Sequence, residues 1–154
     1  MNKSIKVFVL LLVVSICSLP LSLDARKSSR SSSGMRSGVV HKINASQFKR
    51  LVANYDYCSY CFKGKRPAII DFSAEWCGWC KKMSPNLAQV AREYAGDIDF
   101  YVIDCDKNKS LAKNYNIDGY PKLLVFSMTH HKWFKGYRNL SELRSICYWA
   151  LGYN

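Results

Sequence analysis

Two cysteines, Cys77 and Cys80, stand at the start of a long helical pattern that follows a short apolar run. This arrangement constrains the fold more than any other feature of the sequence. The run Ala68–Phe72 has the length and composition of a strand that is buried on both faces. A helix is predicted from Cys77 to Ala95, interrupted by Pro85, with Cys80 one turn into it. Cys77 therefore lies at a helix N-terminus, where unpaired backbone N–H groups and the helix dipole stabilise a thiolate.

A stabilised thiolate beside a second cysteine predicts redox chemistry, because the thiolate is the nucleophile of disulfide exchange. Cys77 would attack a substrate disulfide and form a mixed disulfide, which Cys80 would then resolve. Gly78 leaves room for a substrate backbone near the sulfur atoms. This chemistry needs no cofactor other than the disulfide of Cys77 and Cys80.

The chain from Val39 onward predicts alternating strands and helices around one core. Hydrophobic residues make up 49% of the sequence and charged residues 22%, which favours a packed domain over disorder. Alternating strands and helices predict an α/β fold, with a central sheet and helices on both of its faces. The predicted strands are 39–43, 68–72, 98–103, 121–126 and 132–134, and the predicted helices are 45–55, 77–95, 107–115 and 142–151.

Three segments together resemble the thioredoxin family. Asp71–Lys81 (DFSAEWCGWCK) is similar to the family's active-site segment, and Pro85 matches the proline in its second helix. Ile117–Pro121 (IDGYP) resembles the loop whose cis proline faces the disulfide, and Gly136 resembles a glycine before the last helix. The resemblance covers about residues 38–154. It implies the thioredoxin fold, a central mixed β-sheet flanked by helices on both faces.

The resemblance implies a catalytic role for Asp71. This carboxylate would take the proton from Cys80 during resolution of the mixed disulfide. Its place in an otherwise apolar strand fits that role, because burial raises the pKa of a carboxyl group toward that of a usable base. The alternative is a structural, hydrogen-bonded aspartate.

The resemblance also implies a substrate-binding surface around Cys77. Pro121 in cis would hold the backbone of Tyr120 where a substrate peptide can pair with it as a strand does. Trp76 and Trp79 would shape an apolar rim, together with Gly78. The alternatives are an ordinary turn proline and plain packing of the two tryptophans.

Two departures from the family pattern bear on the direction of catalysis. Trp79 stands where the commonest thioredoxin has proline, a position that tunes the reduction potential. The strand at 98–104 lacks the lysine that many thioredoxins carry near the buried aspartate, so the charge balance around Asp71 is expected to differ. We favour a reductase of protein disulfides. A disulfide oxidase or isomerase with the same site, and a non-catalytic binding module, are the alternatives.

A second pair of cysteines, Cys58 and Cys61, precedes the first by fifteen residues, which matches a zinc-ligand spacing. The intervening strand and its flanks would carry the chain roughly 20 Å, so the two pairs cannot bind one metal ion. We therefore predict no metal site. A structural disulfide is favoured for this pair, and an accessory redox pair is the alternative. Cys105 and Cys147 are expected to be buried as small hydrophobes, and the sequence leaves a bridge between them open.

The N-terminus resembles an export signal. Lys3 and Lys6 precede the apolar run Val7–Leu19, which is shorter than the ~20 residues of a membrane span. Residues 1–25 are therefore predicted to be a signal peptide, with an uncleaved anchor as the alternative. The serine-rich, basic segment 26–38 is predicted to be a flexible linker before the domain at 39–154. We expect an exported protein, foremost in a bacterial periplasm, with secretion or membrane attachment as alternatives.

The net charge of +12 raises the question of anionic partners. The charges are dispersed and accompany no nucleic-acid-binding motif, so no nucleic-acid partner is predicted. Membrane contact is expected only through the N-terminal segment. The expected partners are protein disulfide substrates and an electron-donor protein, either in the membrane or exported, and the chain is expected to be a monomer.

Overall fold

The structure is a computed structural model that describes residues 38–153. The predicted signal peptide at 1–25, and all of the predicted linker at 26–38 except Gly38, lie outside the described residues. No helix within residues 38–153 is long and apolar enough to cross a membrane.

Residues 38–153 form five strands and four helices in the predicted order. The strands are β1 (Val40–Lys42), β2 (Ala68–Ser73), β3 (Asp99–Asp104), β4 (Lys122–Phe126) and β5 (His131–Lys135). The helices are α1 (Ala45–Leu51), α2 (Gly78–Glu93), α3 (Lys109–Asn114) and α4 (Leu140–Ala150).

The five strands form one mixed sheet in the order β1-β3-β2-β4-β5. β1 and β2 both run parallel to β3, whereas β4 runs antiparallel to β2 and to β5. β2 is therefore the central strand, and it carries Asp71 toward the loop that holds the two redox cysteines. The fold is the α/β thioredoxin fold with a central mixed sheet, as the resemblance implies.

The two faces of the sheet bury two separate cores, because side chains alternate along each strand. Ile70 and Phe72 of β2 pack with Phe48 of α1 and Leu111 of α3 on one face. Ile69 packs on the other face, under the apolar side chains of α2 and α4. Helices thus cover both faces, and α2 lies over the face to which the odd-numbered residues of β2 point.

Two predicted helices differ from the observed ones. The first was expected to reach residue 55 but ends at Leu51, because the next residues turn back and Ala53 forms an antiparallel bridge with Phe62. The second was expected to be interrupted at Pro85 but runs through it. Its buried side chains, among them Met83 and Leu87, pack against the sheet on both sides of the proline and offset the lost hydrogen bond. The other ends differ by one or two residues.

The loop with the predicted cis proline is tied to the sheet by a glycine. The peptide bond between Tyr120 and Pro121 is cis. The carbonyl of Pro121 accepts a hydrogen bond of 2.8 Å from the backbone N–H of Gly136. Gly136 has a φ of 82°, in the left-handed region that favours glycine, and it turns the chain from β5 toward α4.

Candidate active site

Cys77 occupies the N-cap of α2, the position predicted from the sequence. Its Sγ accepts a hydrogen bond of 3.1 Å from the backbone N–H of Cys80. The two cysteines form a disulfide with 5.3 Å between their Cα atoms, and they are only 5% and 4% exposed. Once reduced, Cys77 would keep both the N–H donor and the positive end of the helix dipole, which favour its thiolate.

Asp71 lies on β2 with its side chain on the face covered by α2, because it follows Ile69 by two residues. It is 3% exposed, and its Oδ1 accepts no hydrogen bond from any residue between 38 and 153. Burial raises the pKa of Asp71 to about 7. A carboxyl group with this pKa can both accept and release a proton near neutral pH.

A cleft of about 630 Å³ is lined by both Asp71 and Cys80, with Ser84 and Leu87 of α2 along one wall. The cleft is open to solvent. Asp71 and the second cysteine thus share one cleft, through which a proton on Asp71 can reach water.

Lys42 of the edge strand β1 supplies a positive charge to this cleft. Val102 of β3 is in register with Lys42 on one side and with Asp71 on the other, so the three residues form one row across the sheet. The ammonium of Lys42 lies 3.5 Å from carboxylate oxygens of both Glu75 and Asp104. β3 lacks the lysine of many thioredoxins. Lys42 is two strands away from Asp71, and burial alone raises the pKa of Asp71.

Lys107 completes this charged cluster. Its ammonium donates a hydrogen bond to Glu75 and lies 3.2 Å from Asp104. The hydrogen bond from Lys107 lowers the pKa of Glu75. The two carboxylates beside the cleft are thus ionised and paired at neutral pH, so they do not compete with Asp71 for a proton.

Four of the five predicted substrate-binding residues line a second, shallow groove of about 560 Å³; the fifth, Pro121, is buried and is not part of the lining. Trp76, Gly78 and Trp79 line one side of it beside Cys77, and residues 117–120 line the other. Nothing lies within 4 Å of the place where a side chain on Gly78 would begin, so the backbone there is open to an approaching peptide.

The two tryptophans have different neighbours. Trp76 is 69% exposed, donates a hydrogen bond of 2.9 Å to Asp106 and meets the ring of Tyr120 edge to face at 5.6 Å. Trp79 is 58% exposed and lies 5.6 Å from the ring of Tyr137. Neither is packed in a core, which favours a surface role over plain packing.

Of the remaining cysteines, Cys105 borders this site, because its thiol interacts with the side chain of Tyr120. Cys58 and Cys61 form a disulfide in the loop between α1 and β2. Cys105 and Cys147 are free thiols in the cores on opposite faces of the sheet, so no bridge joins them. Residues 38–153 contain no group of three or more metal-ligating side chains that could hold a metal ion.

Comparison with known proteins agrees with this geometry. A family model described as thioredoxin matches residues 39–147. The chain belongs to the thioredoxin family. This result and the cysteine pair make residues 39–147 a protein-disulfide oxidoreductase domain.

Individual relatives come from both thioredoxins and disulfide isomerases. A thioredoxin of Borreliella burgdorferi is 39% identical over 48% of this chain and 66% of its own length. The protein disulfide isomerase-like 2-3 of Oryza sativa subsp. japonica is 32% identical over 79% of this chain and 26% of its own length. The crystal structure of chloroplastic thioredoxin z matches 74% of this chain and 96% of its own, with 26% identity and a TM-score of 0.63. The chain thus spans between about a quarter and two-thirds of these two curated relatives.

Sequence reasoning missed several residues at the site. Lys42 was missed because its place at the cleft, in the same row across the sheet as Asp71, depends on the order of the strands, which no local pattern reveals. Tyr137 and Asp106 were missed for a similar reason, since each meets a tryptophan of the site across more than 25 residues of chain. Lys82 could have been found, because helical spacing puts it one turn after Trp79.

Proposed function

We propose that this protein is a thiol–disulfide oxidoreductase that reduces disulfides in exported proteins. The observation that carries the proposal is the cleft shared by the buried carboxyl of Asp71, whose Oδ1 has no hydrogen-bond partner among residues 38–153, and Cys80, one helical turn from the nucleophilic Cys77. A purely structural domain has no need for an ionisable group in that position, because burying it without a partner costs stability.

In the proposed reaction the thiolate of Cys77 attacks one sulfur of a substrate disulfide and releases the first substrate thiol. Asp71 then takes the proton from Cys80. The thiolate of Cys80 attacks Cys77, which releases the second substrate thiol and closes the disulfide of the enzyme. Two electrons pass to the substrate, and each substrate sulfur leaves with a proton.

Replacing Cys80 with serine tests these roles. The Cys80→Ser variant should accumulate a mixed disulfide between Cys77 and a protein substrate such as insulin, visible as a covalent adduct on a non-reducing gel. The Cys77→Ser variant is the matched control and should form none. Absence of an adduct in the first variant would contradict the proposal and favour a non-catalytic binding module.

A disulfide oxidase or isomerase is the second candidate. Trp79 in place of the commonest proline supports it, and so does the similarity to the disulfide isomerase-like protein of rice. The chemistry at Cys77 and Cys80 is the same in both cases, and the direction depends on the reduction potential of the pair.

The proposed place of action is outside the cytosol, foremost a bacterial periplasm. The basic, apolar and serine-rich character of residues 1–38 supports this proposal. A reductase there also needs an electron donor, for which a membrane or exported protein is proposed. Cell fractionation that finds the protein only in the cytosol would contradict this part of the proposal.

A further inference from the structure

The disulfide between Cys58 and Cys61 has a different environment from the one at the active site. Cys61 is exposed and Cys58 is partly exposed, whereas Cys77 and Cys80 are almost fully buried. The neighbouring Tyr57 and Tyr60 are 90% and 42% exposed. This second pair is therefore more accessible to a thiolate from another molecule than the active-site pair is.

The backbone of the loop around this disulfide is held by contacts that do not involve the sulfur atoms. The backbone N–H of Cys58 donates to the carbonyl of Asn54 at 2.9 Å, and the carbonyl of Ser59 accepts a hydrogen bond from the hydroxyl of Tyr115. Further along, the N–H of Lys63 donates to the carbonyl of Val52 at 2.8 Å. These bonds fix the loop before, within and after the cysteine pair.

Two aromatic stacks hold the same loop against the sheet. The ring of Tyr60 lies parallel to His131 with 3.9 Å between centroids, and Phe62 lies parallel to Phe126 at 4.8 Å. Phe126 belongs to β4 and His131 to β5, so both stacks join the loop to the sheet and not to other residues of the loop. Opening the disulfide would leave all of these contacts in place.

The crosslink adds less to stability than one that encloses a longer loop. In the chain-entropy account, the stabilisation by a disulfide grows with the number of residues that it encloses. Cys58 and Cys61 are three positions apart, so the ring that they close is close to the smallest possible. Exposed disulfides are of the kind that exchange readily with thiols, and this pair combines exposure with a short ring.

We propose that Cys58 and Cys61 form a second, exchange-competent redox pair that accepts electrons from the dithiol of another protein. The electron donor is the reduced Cys77–Cys80 pair of a second copy of this chain, so this inference rests on the proposed function. The Cys77 thiolate of the donor attacks the Sγ of Cys61, the more exposed cysteine of the pair, and Cys58 leaves as a thiolate. Cys80 of the donor then attacks Cys77 and releases Cys61. The donor is oxidised to a disulfide, the acceptor gains two thiols, and the two protons of the donor pass to them.

Two variants of the full chain separate donor from acceptor. The donor carries Cys58→Ser and Cys61→Ser and is reduced and freed of small-molecule reductant. The acceptor carries Cys77→Ser and Cys80→Ser and is oxidised. After mixing, the reaction is quenched with acid, the thiols are alkylated, and peptide mass spectrometry measures the state of each cysteine. Cys105 and Cys147, which are buried thiols throughout, serve as the internal standard for alkylation.

The expected result is that Cys58 and Cys61 of the acceptor become alkylated in step with the loss of thiols from the donor, while the circular dichroism of the acceptor is unchanged. A closed Cys58–Cys61 disulfide in the presence of a donor that still reduces insulin would overturn the proposal. Loss of the folded signal on opening would also overturn it, since the disulfide would then be a structural staple.

A second arm keeps this test independent of the proposed function. If the donor fails to reduce insulin, the acceptor is titrated with mixtures of reduced and oxidised dithiothreitol. Reversible opening of Cys58–Cys61 in the folded acceptor would support exchange competence, although the proposed function had failed. A pair that stays closed in excess dithiol until the protein unfolds would overturn the inference.

Discussion

Asp71 is the residue whose surroundings decide most about the chemistry of the site. It lies in an apolar strand at 3% exposure, and its Oδ1 has no hydrogen-bond donor among residues 38–153. The charged form is therefore disfavoured, and the pKa rises to about 7 from an ordinary value of 3.8. The folded protein holds a proton on this group across a pH range in which the unfolded chain has released it.

This difference makes the stability of the protein fall as pH rises. Between pH 4 and pH 7 the folded state binds more protons at Asp71 than the unfolded state, so the free energy of unfolding decreases with pH. The Asp71→Asn variant lacks the group, so its free energy of unfolding should rise relative to that of the wild type as pH increases over that range, by on the order of 4 kcal/mol at most. Urea unfolding at pH 4, 6 and 8 measures this gain. Equal pH dependence in the two proteins would show that Asp71 is not protonated in the fold.

The same variant tests the proposed role in catalysis. Without a proton acceptor beside Cys80, the resolution of the mixed disulfide should slow by roughly 10² or more at pH 7, while the attack by Cys77 is unaffected. Stopped-flow measurement of the two steps separates them. Equal slowing of both steps would favour a purely structural role for Asp71.

The central residues of the site could be predicted from the sequence, whereas the residues that contact them could not. Cys77, Cys80 and Asp71 belong to one strand–loop–helix unit, so spacing along the chain is enough to bring them together. The partners of the tryptophans, Tyr137 and Asp106, come from distant segments and became visible only in the fold.

At the scale of single elements, local signals placed most helices and strands correctly. Asn44 and Asn139 are residue types that favour helix starts, and each forms a reciprocal pair of hydrogen bonds at the start of its helix. The end of α1 at Leu51 could not be predicted, because it depends on the bridge between Ala53 and Phe62. The continuity of α2 through Pro85 depends on packing against the sheet and was missed for the same reason.

The cap of α4 gives a prediction at this scale. The side chain of Asn139 accepts a hydrogen bond of 3.0 Å from the backbone N–H of Glu142. Replacing Asn139 with alanine should lower the free energy of unfolding by about 1 kcal/mol, and replacing it with glycine by only a few tenths. Urea denaturation of both variants measures this. An alanine variant as stable as the wild type would mean that the cap contributes nothing.

At the scale of the whole molecule, the edge of the groove beside Trp79 carries a positive charge, that of Lys82. Asp118, on the rim opposite Trp79, already accepts hydrogen bonds from Lys122 and Lys135. Lys82 is exposed and forms no ion pair with any carboxylate in residues 38–153, and its ammonium lies 5.0 Å from the ring of Trp79. The aromatic face holds a cation at the edge of the groove.

This charge predicts a preference among substrates. Disulfide peptides with acidic residues beside the cysteine should have a higher kcat/KM than peptides with lysine there, and the difference should shrink as salt is added. The Lys82→Glu variant should reduce or reverse the preference, whereas Lys113→Glu, at the end of α3, should leave it unchanged. Equal preference in the wild type and in Lys82→Glu would show that Lys82 does not select substrates.

The reduction potential of the Cys77–Cys80 pair tests the central claim most directly. It is measured by equilibrating the full chain with dithiothreitol or glutathione mixtures, and the Cys58→Ser/Cys61→Ser variant isolates the pair. A reductase predicts a value near about −270 mV, as in thioredoxin. A value near about −120 mV, which is typical of a strong oxidant, would contradict the claim and assign the same site to disulfide formation.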